Sequence, residues 1–208
     1  MSPVSTQYEK HGRTKQKQRT RDALVAAARA LVARGLTPTV EDAAADADVS
    51  RATAYRYFPS QAELLAAAHP ETNTSSLLPK DPPADPEARV ALVVEAFIKL
   101  IVGTEAQQRT MLRLSLAADV DPAARASLPL RQGRAIAWLT EALEPARERL
   151  GDDGVHRTAL AIRSATGIEA LIWLTDIGGL SRRRAVEIMR SNARAICRDA
   201  LTDGHVSR

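Results

Sequence analysis

Side chains able to do covalent chemistry are few and dispersed in this sequence. The four histidines, His11, His69, His156 and His205, are scattered, and two lie near the termini. The single cysteine, Cys197, sits in an apolar helical pattern and reads as a small buried hydrophobe. There is no Gly-x-Ser-x-Gly elbow, Cys-x-x-Cys, His-Glu-x-x-His or phosphate-binding glycine loop. The expectation is a protein without catalytic residues, metal or cofactor. What the chain does concentrate is hydrogen-bonding and charged side chains between Thr37 and Leu65, in TPTVEDAAADADVSRATAYRYFPSQAELL. Two short helix signals joined by a tight turn, the second ending in Tyr-x-Tyr-Phe-Pro, predict a helix-turn-helix, which can place one helix in a DNA groove.

Local signals place the elements around this segment. A first helix is expected from about Thr20, with Asp22 in its first turn and Leu24, Ala28, Leu31 and Val32 on one face. Gly35 sits where a left-handed stop is expected. Thr39 is the cap of the next helix, Glu41 and Asp42 complement its positive end, and Ala43, Ala44 and Ala47 form its inner face. In the turn Ala47-Asp48-Val49, Asp48 must adopt the left-handed conformation, which Asp tolerates better than most residues. Ser50 caps the following helix, Pro59 closes it, and Ser60 starts another.

Composition extends the picture to the whole chain. Its 208 residues are 45% apolar but only 3% aromatic, so the core must come from Ala, Leu, Val and Ile. Scarce β-branched runs favour helices throughout, an all-α fold. The net charge of +4 is uneven: Lys10, Arg13, Lys15, Lys17, Arg19 and Arg21 face only Glu9 at the N-terminus. Residues 1–19 are expected as a flexible basic arm attractive to phosphate, or else a solubilising tail. Residues 20–68 form the helix-turn-helix domain. Residues 69–86 hold a linker, with five of the eleven prolines between Pro70 and Pro86.

Residues 87–208 form a larger helical domain. Its expected helices run from Pro86 to Val102, from Glu105 to Ala117, from Asp121-Pro122 to Leu150 with a kink at Pro129, from Val155 to Ile177, and from Ser181 to about Leu201. Gly151 to Gly154 is expected as a turn. One cysteine suits a reducing compartment, the N-terminus lacks an apolar signal-peptide core, and no apolar run is long enough to span a bilayer. A cytoplasmic protein without membrane contact is expected.

The run A-D-V-S-R-A-T-A-Y-R-Y-F-P-S-Q-A-E-L-L closely resembles the TetR family, the tetracycline-repressor-like bacterial regulators, over Thr20 to Leu65. Over the rest, the resemblance lies in helix order and length. Three positions depart from the family pattern: Asp48 replaces the usual turn glycine, Ala43 the usual isoleucine, and Gln61 the usual lysine. The resemblance implies a DNA-binding regulator of transcription, a homodimeric repressor released from a palindromic operator by an unknown small-molecule effector. The alternatives are an effector-free DNA binder, an activator, or an enzyme with an appended helix-turn-helix.

On this reading, double-stranded operator DNA meets Thr39, Ser50, Arg51, Ala52, Thr53, Tyr55, Tyr57 and Gln61, with Arg19 from the arm. Thr39, Tyr55, Tyr57 and Gln61 are phosphate contacts, Gln61 weaker than a charged donor. Arg51 is the base reader, since arginine can grip guanine in two places, and Ala52 and Thr53 approach thymine methyls or base edges. The alternatives are a packed Tyr55 with a wet hydroxyl and an Arg51 that serves phosphate; Phe58 belongs to the core. The resemblance also implies an effector pocket between the middle helices. Phe97, Met111, Trp138 and Trp173 are candidates for its wall, and Arg109, Arg113, Arg134 and Arg163 for polar anchors. The same residues can equally be ordinary core and solvated surface. A dimer surface is expected on the last two long helices, from Leu171, Ile172, Leu174, Val186, Met189, Ala193 and Ile196.

Overall fold

The computed structural model describes residues 4–69, 74–116 and 133–203, with side chains from Thr14 onward. Every regular element among them is helical. These are α1 (Val4–Ala33), α2 (Val40–Asp46), α3 (Arg51–Tyr57), α4 (Gln61–Ala68), α5 (Pro86–Gly103), α6 (Glu105–Ser115), α7 (Arg134–Ala142), α8 (Arg147–Thr166), α9 (Ile168–Ile172) and α10 (Arg182–Asp203). The expected kink at Pro129, the helix start at Asp121-Pro122, the linker residue Pro70 and the side chains of Lys10 and Arg13 lie outside the described residues. The chain divides into two compact units, Met1–Thr72 with Ala106–Arg131, and Asn73–Glu105 with Gln132–Arg208.

In the first unit, α1 begins at Val4 rather than near Thr20, so the expected flexible arm of residues 1–19 is helical from Val4 onward. The reason is local. The Thr20 hydroxyl donates back to the Gln16 carbonyl (3.1 Å) instead of capping, and Gln18 Nε2 donates to Asp22 Oδ1 (2.8 Å). Both contacts span one helical turn, in a stretch of Lys, Gln and Arg, which are good helix formers. The helix stops at Gly35 (φ 79°), where Leu36 N–H donates to Leu31 O and Gly35 N–H to Val32 O, the paired bonds of a Schellman motif.

A second such stop ends α2. Val49 N–H reaches Ala44 O, Asp48 N–H reaches Ala45 O, and Asp48 stands at φ 53°. Alanine dominates the core here: Ala27, Ala28, Ala43, Ala44, Ala54 and Ala68 pack with Leu24, Val25, Val40, Phe58 and Leu64. Small side chains bring the short helices close. Valine at position 48, β-branched and forced into left-handed backbone, is expected to destabilise this unit by about 1–2 kcal/mol. Urea unfolding followed by circular dichroism checks this; an unchanged midpoint would mean the turn relaxes out of that conformation.

The segment Ala106–Arg131 groups with the first unit, inside the span 87–208 that the sequence suggests as one domain. Met111 of α6 packs on Val32 and Leu65, and Gln107 Nε2 donates to Arg29 O (3.3 Å). Arg113 likewise donates to the Thr37 hydroxyl.

The second unit packs α10 against α8 and α5, and α7 against α8 and α5. α5 opens as its sequence demands, with Asp85 accepting from Ala88 N–H (2.8 Å) and Pro86 in the first turn. Its stripe of Val90, Val93, Val94, Phe97, Ile98 and Ile101 is buried, as is Cys197 on α10. Burial pushes that thiol's pKa up to about 11. The cation of Arg190 meets Glu95 (2.6 Å) and that of Arg198 meets Glu87 (2.7 Å), two ion pairs joining α10 to α5.

Two expected helices are divided. The stretch toward Leu150 breaks after α7 into a 3-10 turn, Glu144–Ala146, built around Pro145. Gly151 (φ 68°, ψ 172°) then bends α8, where the sequence predicts a turn over Gly151 to Gly154. The expected helix Val155 to Ile177 ends at Thr166. Gly167 is extended there, α9 follows, and a π-helical turn, Trp173–Ile177, closes the segment.

Gly167 lies beneath an ion pair. A Cβ at that position would fall on the guanidinium of Arg163 and the carboxylate of Glu169, which pair across it at 3.1 Å. Ser181 stands before α10, where Ala185 N–H donates to its carbonyl (2.9 Å).

Candidate nucleic-acid interface

The face formed by α2 and α3 is organised by its caps. The hydroxyl of Thr39 accepts from Asp42 N–H (3.1 Å), while Asp42 Oδ2 accepts from Thr39 N–H (2.8 Å): a reciprocal capping box. These bonds hold the Asp42 carboxyl below its usual range, first through the Thr39 backbone and then through its hydroxyl. The Thr39 hydroxyl proton is also given to Asp42 Oδ2 (2.8 Å), so in the free protein it is committed to the cap rather than offered outward. Ser50 Oγ accepts from Thr53 N–H (3.3 Å) and donates to Thr53 Oγ1 (2.9 Å). That leaves the Thr53 hydroxyl proton as the outward donor of the pair.

On α3, Arg51, Ala52, Tyr55 and Arg56 are exposed, Thr53 and Tyr57 half-buried, and Ala54 buried against α2. Phe58 is core, with the guanidinium of Arg21 lying 5.3 Å from its ring centre. Arg51, with 74% of its side chain exposed, is not idle. Its Nη2 lies 2.8 Å from Glu41 Oε1, and its guanidinium sits 5.8 Å from the ring centre of Tyr55. The Tyr55 hydroxyl donates to the same Glu41 oxygen at 2.7 Å. That bond, ahead of the Arg51 charge, holds the Glu41 carboxyl below the usual range and raises the Tyr55 phenol above its own.

The proposed contacts therefore divide. Ser50, Arg51, Ala52, Thr53, Tyr55 and Tyr57 fall together on or beside α3, with Thr39 at the head of α2. Arg19 lies on the exposed part of α1. Gln61 differs from the expectation of a free phosphate donor, because its Nε2 already donates to the carbonyls of Pro38 (2.9 Å) and Thr37 (3.3 Å). It ties the head of α4 to the loop before α2.

Sequence reasoning treated Glu41 only as a complement to the helix dipole. Its pairing with Arg51 and Tyr55 depends on how α2 crosses α3, for which no local pattern exists. Arg56 is a further exposed cation on α3, its guanidinium 5.9 Å from the Tyr57 ring centre.

The second unit distributes its own candidates unevenly. Phe97 and Trp138 are buried and meet edge-to-face, ring centres 6.2 Å apart. Arg163 lies 5.5 Å from the Phe97 ring centre, and Trp138 Nε1 donates to Ser75 O (3.2 Å). Trp173 does not join them: it is 60% exposed, at the start of the π-helical turn. Met111 and Arg113 belong to the first unit, as described, and Arg109 and Arg134 are each engaged in interactions of their own.

Of the expected dimer residues, Leu171, Met189 and Ala193 are buried within the chain's own second unit. Leu174, Val186 and Ile196 are half-buried, as is Ile172. The apolar residues that do reach the surface on these elements are Leu160, Trp173, Ile177 and Ile188. A helix's inward stripe is its most apolar one, so periodicity alone picks the core before the outer face.

Among the described residues, no helix is long and apolar enough to cross a membrane. Residues 23–68, which span the end of α1 through α4, match the family model described as "Bacterial regulatory proteins, tetR family". No curated protein matches the chain.

Proposed function

We propose that this chain, a DNA-binding transcriptional regulator of the TetR family by its N-terminal domain, works as a homodimeric repressor that a small molecule releases from its operator. The observation that carries the reading is the set of outward side chains on α3. Arg51, Ala52 and Tyr55 are exposed together on a helix whose start is fixed by Ser50 and whose approach is fixed by the turn at Asp48. In a two-fold dimer, the two copies of α3 would enter successive major grooves about 34–36 Å apart. Dimerisation is supported by apolar side chains left at the surface of the second unit, with Ile177 at 70% and Trp173 at 60% exposed. For an effector, the second unit offers an opening between α5 and α10 lined by Val90, Ala91, Val94 and Ala193 with Arg190 and Arg194 beside them. Its place of action is the cytoplasm, with the DNA it controls.

Selection of the purified protein on a random duplex pool tests this directly. The expected product is an inverted repeat with half-sites one helical turn apart, bound with a steep dependence on salt. Enrichment of single, unrepeated sites would remove the dimer, and no enrichment at all would remove the operator. The release step carries its own condition. Coupling between two sites is reciprocal, so saturating operator must weaken effector binding by the same factor as effector weakens operator binding.

A further inference from the structure

We propose that Glu41 is a specificity-determining positioning residue, a carboxylate on the DNA-facing side that holds Arg51 for a base and disfavours its use on phosphate. The proposal rests on the DNA-binding role proposed for this face. Its basis is that two groups suited to DNA, the Arg51 guanidinium and the Tyr55 hydroxyl, both satisfy themselves on a single oxygen, Glu41 Oε1, at 2.8 and 2.7 Å. Glu41 itself is partly exposed, and Arg51 stacks along the Tyr55 ring, so the three side chains form one outward-facing unit.

Arginine has five N–H donors in a planar fork. The bond to Glu41 uses one of the two hydrogens on Nη2 and leaves the other open, beside a donor on Nη1 or Nε, as a two-pronged fork. A guanine edge offers two neutral acceptors, N7 and O6, to such a fork. Arg51 can therefore meet guanine while remaining tied to Glu41. A phosphate is different, because it brings a negative charge against a carboxylate that is already there. Arg51 must then leave Glu41, or the two anions must share it. Neutral acceptors are tolerated and anionic ones discouraged, so Glu41 subtracts from sequence-independent binding more than from binding to a preferred site.

The test uses the full chain, a mixed-sequence duplex and the duplex that wild-type protein enriches from a random pool. Glu41→Gln removes the charge and keeps an acceptor for Tyr55. It is expected to tighten mixed-sequence binding about two- to fivefold, the range of an exposed ion pair, and to steepen its salt dependence by about one unit of slope. The enriched duplex should gain less, so the ratio between the two falls. Glu41→Asp keeps the charge but shortens the side chain out of reach of Arg51. It should lose selectivity as Glu41→Gln does if positioning is the cause, and behave as wild type if only the negative field matters. In an Arg51→Ala background the effect of Glu41→Gln should disappear.

Equal tightening on both duplexes, a wild-type response of Glu41→Asp, or an effect that survives Arg51→Ala each overturns the role of Glu41 while leaving DNA binding intact. A wild-type protein that binds neither duplex overturns the DNA-binding reading itself, and this proposal with it.

Discussion

Arg51→Ala is expected to weaken binding to the enriched duplex by about 1–3 kcal/mol and to flatten base preference at one position in each half-site. The size follows from geometry. Arg51 is the longest exposed cation at the start of α3, and its guanidinium is held in place by Glu41 and the Tyr55 ring rather than left to rotate freely. A side chain ordered before binding loses little entropy on meeting a base, which favours selectivity. Repeating the selection with the variant measures preference, and titration of a fixed duplex measures affinity. A uniform loss of affinity with unchanged preference would make Arg51 a phosphate contact. That outcome would also contradict the role assigned to Glu41, since the carboxylate is argued to turn Arg51 away from phosphate.

The second large effect belongs to the other unit. Trp138→Ala is expected to destabilise it by about 3–5 kcal/mol, the usual cost of deleting a buried large aromatic side chain. Trp138 is almost wholly buried, meets Phe97 edge-to-face and gives its indole N–H to Ser75 O. The variant removes the ring, leaves a cavity beside Phe97 and deprives the Ser75 carbonyl of its donor. Equilibrium unfolding in urea measures the loss. The two tryptophans make the fluorescence informative: Trp138 should emit to the blue and Trp173, which is exposed, to the red. Unfolding of the wild type then shifts one of them, and Trp138→Ala should abolish most of that shift. A variant as stable as wild type would mean that the helices around Phe97 close over the gap.

The two sites differ in how much of them the sequence discloses, and the difference is one of range. Thr39, Gly35, Asp48, Ser50 and Ser60 each act on residues three to five positions away, so their roles can be inferred from spacing alone. The family resemblance over the same stretch has the same origin, for a motif of caps and turns is local by construction. Glu41 is 14 positions from Tyr55, and nothing in the intervening residues says that their side chains meet. Arg163, Gly167 and Glu169 are close in sequence, yet an apolar run surrounds them and hides the break.

The start of α1 at Val4 differs from the sequence expectation for a related reason. Thr20 has the chemistry of a cap, but the helix-forming residues before it let the turn continue. Met111 and Trp173 show the limit of periodicity. It says that a side chain belongs to an apolar face without saying what that face meets.

The burial of Cys197 gives the molecule a clock. The chain's only thiol is buried in the seam between α5 and α10, at the floor of a cavity. A bulky reagent reaches it faster whenever the seam parts. The modification rate rises with how often two helices, tied by Glu87–Arg198 and Glu95–Arg190, come apart in the folded protein. Whatever binds the second unit and steadies that seam will slow the clock, and whatever loosens it will make it run fast.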